Sequence, residues 1–216
     1  MTHLSLTPLP LSYYSKPTLE LARDLLGCTL VKITDEGKTS GIIVETEAYI
    51  GPQDRAAHSY NNRRTKRTEI MFDSFGHVYT YLMHTHCLFN IVSGGRDEPE
   101  AILIRAIEPT LGHTLMQERR GLQNSPSLTN GPGKLTKAMG ITMADYGKLL
   151  PSADLYITTG INPDSISAGK RIGISNSGEA KDYPWRFWIT GNPYVSRHQK
   201  GQVLRPEREA SEGGTS

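Results

Sequence analysis

The chain has 216 residues, 37% of them hydrophobic, a formal charge of +2 and two cysteines. That length supports one large domain or two small ones, with a core that needs no disulfide or metal to hold it. The composition excludes a transmembrane helix, since no apolar run approaches ~18 residues, and four-cysteine clusters; the small positive charge is compatible with nucleic acid without arguing for it.

The N-terminal residues carry neither a basic n-region nor a small-residue cleavage site, so no signal peptide is expected. Cys28 and Cys87 form no CxxC pair, which points to a reducing cytoplasm. Residues 15–27 read as a short helix, with Ser15 or Thr18 as cap and Gly27 as terminator. A strand over 28–34, a turn at Asp35, Glu36 and Gly37, and a return strand over 39–49 follow. A polar loop runs from 51 to 68. Strands are expected over 77–83, 87–93 and 101–107, with turn residues at 94–99. Residues 110–120 read as a helix, and 134–139 as a short helix behind a Gly-Pro-Gly turn. Two late strands are expected over 171–175 and 185–190. Strand clusters joined by short turns predict an α+β fold. The expectation is a single domain over residues 1–203, a mostly antiparallel curved β-sheet with flanking helices. Residues 204–216 read as a polar, disordered tail.

Chemistry concentrates on the strand IIVETEAY. Side chains alternate across a strand, so Ile43, Glu45, Glu47 and Tyr49 are expected on one face, and Ile42, Val44, Thr46 and Ala48 on the other. A frayed strand end in solvent would give the two acids no meaning. Arg105 argues otherwise, because it interrupts the apolar run AILIRAI and a buried guanidinium needs a carboxylate. Either Glu45 or Glu47 would serve. The pair can be purely structural, or an acid so held beside a cleft can activate a water.

Other segments carry weaker signals. The run NNRRTKRT places Arg63, Arg64, Lys66 and Arg67 within five positions. It is a solvated face or a phosphate contact. NGPGKL places Gly131, Gly133 and Lys134 before a helix, where backbone N–H groups can meet phosphate, but it is not a P-loop. His84 and His86, two apart on an expected strand, with Cys87 and His58, make a thin metal-site candidate lacking a full ligand set. Tyr79 and Tyr81 alternate onto one face as core aromatics or a stacking wall.

In order, LARDLLGCTLV, GIIVETEAYIGPQDRAAHS, MF, ILIRAIEP, NGPGKLTKAMGI, RIGIS and WRFWITGNPYVS resemble the alkyladenine (3-methyladenine) DNA glycosylase family over roughly residues 18–197. The resemblance implies a DNA repair enzyme that flips a damaged purine out of double-stranded DNA and hydrolyses its glycosidic bond. It implies Glu47 as the base that activates water, with Arg105 and the main-chain carbonyl of Ile172 positioning that water. Tyr49 would stack on one side of the base and His58 and Tyr81 on the other. Asn90 would oppose the amine of normal guanine, and Leu103 would line the pocket. Arg63, Thr65, Gly131, Gly133 and Lys134 would contact the DNA backbone. The segment MHTHC is one residue shorter than the family's wedge, which leaves Met83 or His84 in that role. A monomer without cofactor, metal or membrane contact is implied. The readings set against this are a non-catalytic DNA-binding protein of the same fold, a metal-dependent hydrolase, and a structural domain.

Overall fold

A computed structural model of the chain describes residues 7–197 and 201–204. It has three α-helices and nine strands among the described residues, and these strands pair antiparallel. Strands β1 (Thr29–Thr34) and β2 (Gly37–Tyr49) form the first hairpin, and β3 (Val78–Met83) and β4 (His86–Val92) the second. They are followed by β5 (Ala101–Leu111), β6 (Leu155–Thr158), β7 (Ile166–Gly169), β8 (Arg186–Ile189) and β9 (Gln202–Leu204). The sheet runs β3-β4-β5-β2-β8-β7-β9, with β1 between β2 and β6. The thirteen-residue β2 organises it: its first half pairs with β1, its second half with β8, and nearly its whole length with β5.

The helices cover one face. Helix α1 (Thr18–Asp24) packs Leu21 and Ala22 into the main core, where they join Ile43, Ile104 and Phe89. The Thr46 hydroxyl donates to the Ala22 carbonyl at 2.7 Å, tying β2 to that helix. Helices α2 (His113–Arg120) and α3 (Pro132–Met139) add Met116, Leu135 and Met139 to the same core. The opposite face carries two smaller apolar clusters. One holds Met71, Tyr79, Tyr81, Leu88 and Leu103; the other holds Val44, Ala106, Trp188 and Val195. Glu45 and Glu47 on β2 and Arg105 on β5 lie in sequence between residues of these two clusters.

Several sequence expectations change here. The helix expected over 15–27 is a 3₁₀ turn, Leu11–Ser15, followed by α1. Pro17 disfavours helical backbone at Lys16, whose ψ is 155°, and α1 has no side-chain cap. The Thr18 hydroxyl bonds Ser93 and Glu100 instead. The helix expected from 110 starts at His113, because β5 runs on to Leu111 and turns at Gly112, φ 78°. Residues 171–175 form no strand: Gly173 has φ 80°, which breaks extended backbone, and the strand lies earlier at β7. His84 and His86 do not share a strand face, since Met83 pairs with His86 and His84 sits in the turn with φ 54°. Leu204, expected in the tail, ends β9; residues 205–216 lie outside the described residues, as do residues 1–6 of the expected leaderless N-terminus.

The simple alternation on β2 also fails at one point. Ile43 pairs with Ile107, Glu45 with Ala106 and Thr46 with Ile104, so Val44 and Arg105 have no partner in the register. These irregularities re-aim the flanking side chains. Ile43 joins Ala48 in the main core, while Val44 lies in the cluster with Trp188. Beyond the bulge, Glu45 and Glu47 both reach Arg105.

Candidate active site

Glu47 is the centre of the arrangement, with a side chain 0% exposed. One carboxylate oxygen, Oε2, accepts from Arg105 Nη1 at 3.2 Å and from the Tyr49 hydroxyl at 2.8 Å. The other, Oε1, accepts the Ile172 backbone N–H at 2.7 Å. Glu45, equally buried, accepts Arg105 Nε at 2.9 Å, Arg186 Nε at 2.7 Å, and both the hydroxyl and the N–H of Ser196. One arginine therefore bridges two buried carboxylates, and a second arginine pairs with Glu45. Burial opposes charge on Arg105, but the carboxylates of Glu47 and Glu45 outweigh it and raise its pKa. Burial, and then the Glu47 charge, push the Tyr49 phenol well above its ordinary pKa, so it remains a donor to Glu47.

A cavity of about 230 Å³ opens beside this group. Its walls include Tyr49, His58, Tyr79, Tyr81, Met83 and Asn90. His58 Nδ1 meets the Tyr79 hydroxyl at 2.8 Å, and its ring stands edge-on to Tyr81 with centroids 4.6 Å apart. Burial, helped by the charges of Arg67 and Arg63, lowers the His58 pKa to about 4. The ring is therefore neutral at physiological pH. Asn90 is 3% exposed and donates from Nδ2 to the Tyr79 carbonyl at 3.1 Å.

The structure thus brings Glu47, Arg105, Ile172, Tyr49, His58, Tyr81, Asn90 and Met83 into one region. Leu103 is not among the cavity walls; it packs with Met71, Tyr79 and Tyr81 in the adjoining cluster. At the tip of the β3–β4 hairpin, Leu82, Met83, His84, Thr85 and His86 are all exposed. Arg63 is exposed on the basic loop, while Thr65 turns its hydroxyl inward to Thr68. Gly131–Lys134 opens α3 directly against the hairpin. A Cβ on Gly133 would lie 2.7 Å from the His86 Cβ, so only glycine permits this approach. Lys134 reaches back to Asn130 Oδ1 at 2.7 Å.

Two features escaped the sequence reading. Residues 173–177, the first three of them expected as strand, form a loop that walls the cavity. Asp54 and Arg171 form a fully buried ion pair behind Tyr49. The visible signal was Asp54 within GPQDRAA and Arg171 at the head of the otherwise uncharged RIGIS. Among the described residues, no group of three or more His, Cys, Asp and Glu is placed to hold a metal, and no helix is long and apolar enough to cross a membrane.

Comparison with known proteins decides the family. Residues 12–193 match the family described as Methylpurine-DNA glycosylase. The chain belongs to that family. A protein of Bacillus licheniformis, named "Putative 3-methyladenine DNA glycosylase", is 67% identical over 190 residues, 88% of this chain and 97% of the relative. A Bacillus subtilis protein of the same name is 65% identical over the same shares. One from Listeria monocytogenes serotype 4a is 50% identical over 193 residues, 89% of this chain and 93% of its own. The family match takes in both glutamates, the cavity walls, the hairpin and the 173–177 loop, so the methylpurine-DNA glycosylase region and the site coincide.

Proposed function

We propose that this protein is a DNA repair glycosylase that takes a damaged purine out of duplex DNA and hydrolyses its N-glycosidic bond, leaving an abasic site. The observation that carries this reading is the Glu47 carboxylate, buried and held by Arg105, Ile172 and Tyr49, the last of which is also a wall of an aromatic cavity.

A glycosidic carbon is unreachable inside a stacked duplex, so the nucleotide must be extruded, at a cost of a few kcal/mol that is least for damaged pairs. Met83 stands both on the exposed hairpin and at the cavity, which suits an apolar wedge. His84, in the turn itself, is the second candidate. The flipped purine stacks between Tyr49 and the pair His58 and Tyr81, where a neutral His58 sets no positive charge against a cationic lesion. Asn90 opposes the exocyclic amine of normal guanine and so rejects it. Arg63, Thr65, Gly131, Gly133 and Lys134 meet backbone phosphates.

A carboxylate can accept about four hydrogen bonds. Three are made at Glu47, two on Oε2 and one on Oε1. The remaining site on Oε1 takes the attacking water, with Arg105 and the Ile172 carbonyl orienting it. The bond from C1′ to the purine nitrogen breaks and its electron pair leaves with the base. The sugar gains oxocarbenium character, water oxygen bonds C1′, and the released proton passes to Glu47. The buried negative charge also favours the developing cation. An N3- or N7-alkylated purine, such as 3-methyladenine or 7-methylguanine, departs as a neutral molecule. Hypoxanthine and ethenoadenine need a proton as they leave. No lysine lines the cavity among the described residues, so no Schiff base and no strand cleavage enter the scheme. It uses no metal or cofactor.

Release of free purine from methylated duplex DNA, and from duplexes carrying one hypoxanthine or ethenoadenine, tests the proposal with chelator present. The expected products are free base and an intact strand with an abasic site. DNA binding without release from any of these substrates would favour the non-catalytic reading.

A further inference from the structure

The buried pair Asp54–Arg171 lies outside the catalytic scheme, yet it ties the end of β2, the loop leading to His58 and the segment running into residues 173–177. Both side chains are 0% exposed. Arg171 grips the two Asp54 oxygens through separate nitrogens, one of them at 2.8 Å. The same two nitrogens donate to the Ala48 carbonyl at 2.8 Å and the Ala180 carbonyl at 3.1 Å. Asp54 in turn accepts the N–H groups of Ile50 and Ala56, which shape the loop leading to His58. The guanidinium lies over the Tyr49 ring at 4.7 Å and the Trp185 ring at 5.0 Å. The residue after Arg171 is Ile172, whose N–H bonds Glu47, and the next five wall the cavity.

A buried ion pair is a poor way to gain stability, because an apolar pair of similar volume often does as well. What the forked geometry supplies is direction. We propose that Asp54 and Arg171 are positioning residues for base hydrolysis: the clasp holds the Ile172 N–H on Glu47 and backs the Tyr49 stacking wall. It thereby couples the 54–58 loop to the 173–177 loop across the reacting centre. The inference rests on the proposed role of Glu47.

The test has two arms. Arg171→Lys keeps the charge that Asp54 needs but loses the fork, and the compensated variant Asp54→Asn/Arg171→Gln leaves no buried charge unpaired. Single-turnover purine release from a hypoxanthine duplex is expected to fall about 10- to 100-fold, the scale on which small misplacements cost rate. Affinity for a duplex with an uncleavable abasic analogue should stay within about threefold of wild type, because uniform binding is not what the clasp provides. A rate within twofold of wild type, or a loss matched by equal loss of DNA affinity, overturns the proposal. The second arm needs no variant and no activity: amide hydrogen exchange of Ile172 in the wild-type protein. Protection equal to that of Ala48 in β2 supports the clasp. Exchange at the rate of an open loop overturns it even if wild type releases purine, whereas protection without purine release would count against the catalytic reading instead.

Discussion

Glu47 is buried, and three protein donors hold its carboxylate. A donor set fixed by the fold needs no rearrangement when charge develops, which is how buried polar groups lower a barrier. His58 shows the converse arrangement, a base kept neutral by burial and by the nearby positive charges of Arg67 and Arg63. Its folded pKa of about 4 lies below the ordinary 6.5. The unfolded chain therefore binds more protons between those values, and stability from this residue rises with pH across the window. It is complete above about 6.5 and is lost as pH falls towards 4. His58→Gln should flatten the stability–pH curve between pH 4 and 6.5 relative to wild type, measured by urea unfolding. Equal slopes in the two proteins would contradict a depressed His58.

Elements position these residues by departing from regularity. The paired irregularities in β2 and β5 leave Val44 and Arg105 unpaired in the ladder and swing Arg105 onto both glutamates. Alternation in IIVETEAY, and the apolar run AILIRAI broken by Arg105, made both strands and the Glu–Arg meeting legible in the sequence. It could not reveal the bulge, because a register shift depends on the partner strand. RIGIS misled for a related reason: its apolar residues alternate like a strand, but Gly173 turns at positive φ and the Ile172 N–H serves a carboxylate rather than a ladder. The four-residue strands β6 and β7 are too short to show a period. At the hairpin, Met83 faces the cavity while His84 occupies the turn. Met83→Ala should slow purine release from duplex about tenfold, an apolar wedge giving up about 1.4 kcal/mol of the extrusion energy. Release from single-stranded DNA should change little. A larger loss for His84→Ala than for Met83→Ala would reverse the assignment of the wedge.

At the scale of the whole molecule, a second cluster of charges stands apart from the proposed site residues. Lys32 on β1 is 6% exposed at its side chain and bonds Asp145 and Asp154, each at 2.7 Å. Lys148 joins the same two carboxylates. Asp145 also accepts the Thr142 N–H in a capping box, so it ties the segment after α3 to β1. Asp145→Asn should destabilise the fold by about 3 kcal/mol, the low end for breaking a buried pair, since Asp154 still neutralises Lys32. Chemical denaturation measures this, and a change below about 0.5 kcal/mol would mean the cluster is merely solvated. The variant should retain purine release at temperatures where it is folded, because the cluster touches no wall of the cavity.

The most direct test of the account is single-turnover purine release by wild type and Glu47→Gln on the same lesion-bearing duplex, with chelator present. Removal of a general base costs about 10²-fold or more. The account predicts rapid release of free purine by wild type, a loss of at least that size in the variant, and retained binding to the duplex. Near-wild-type release by Glu47→Gln would contradict it.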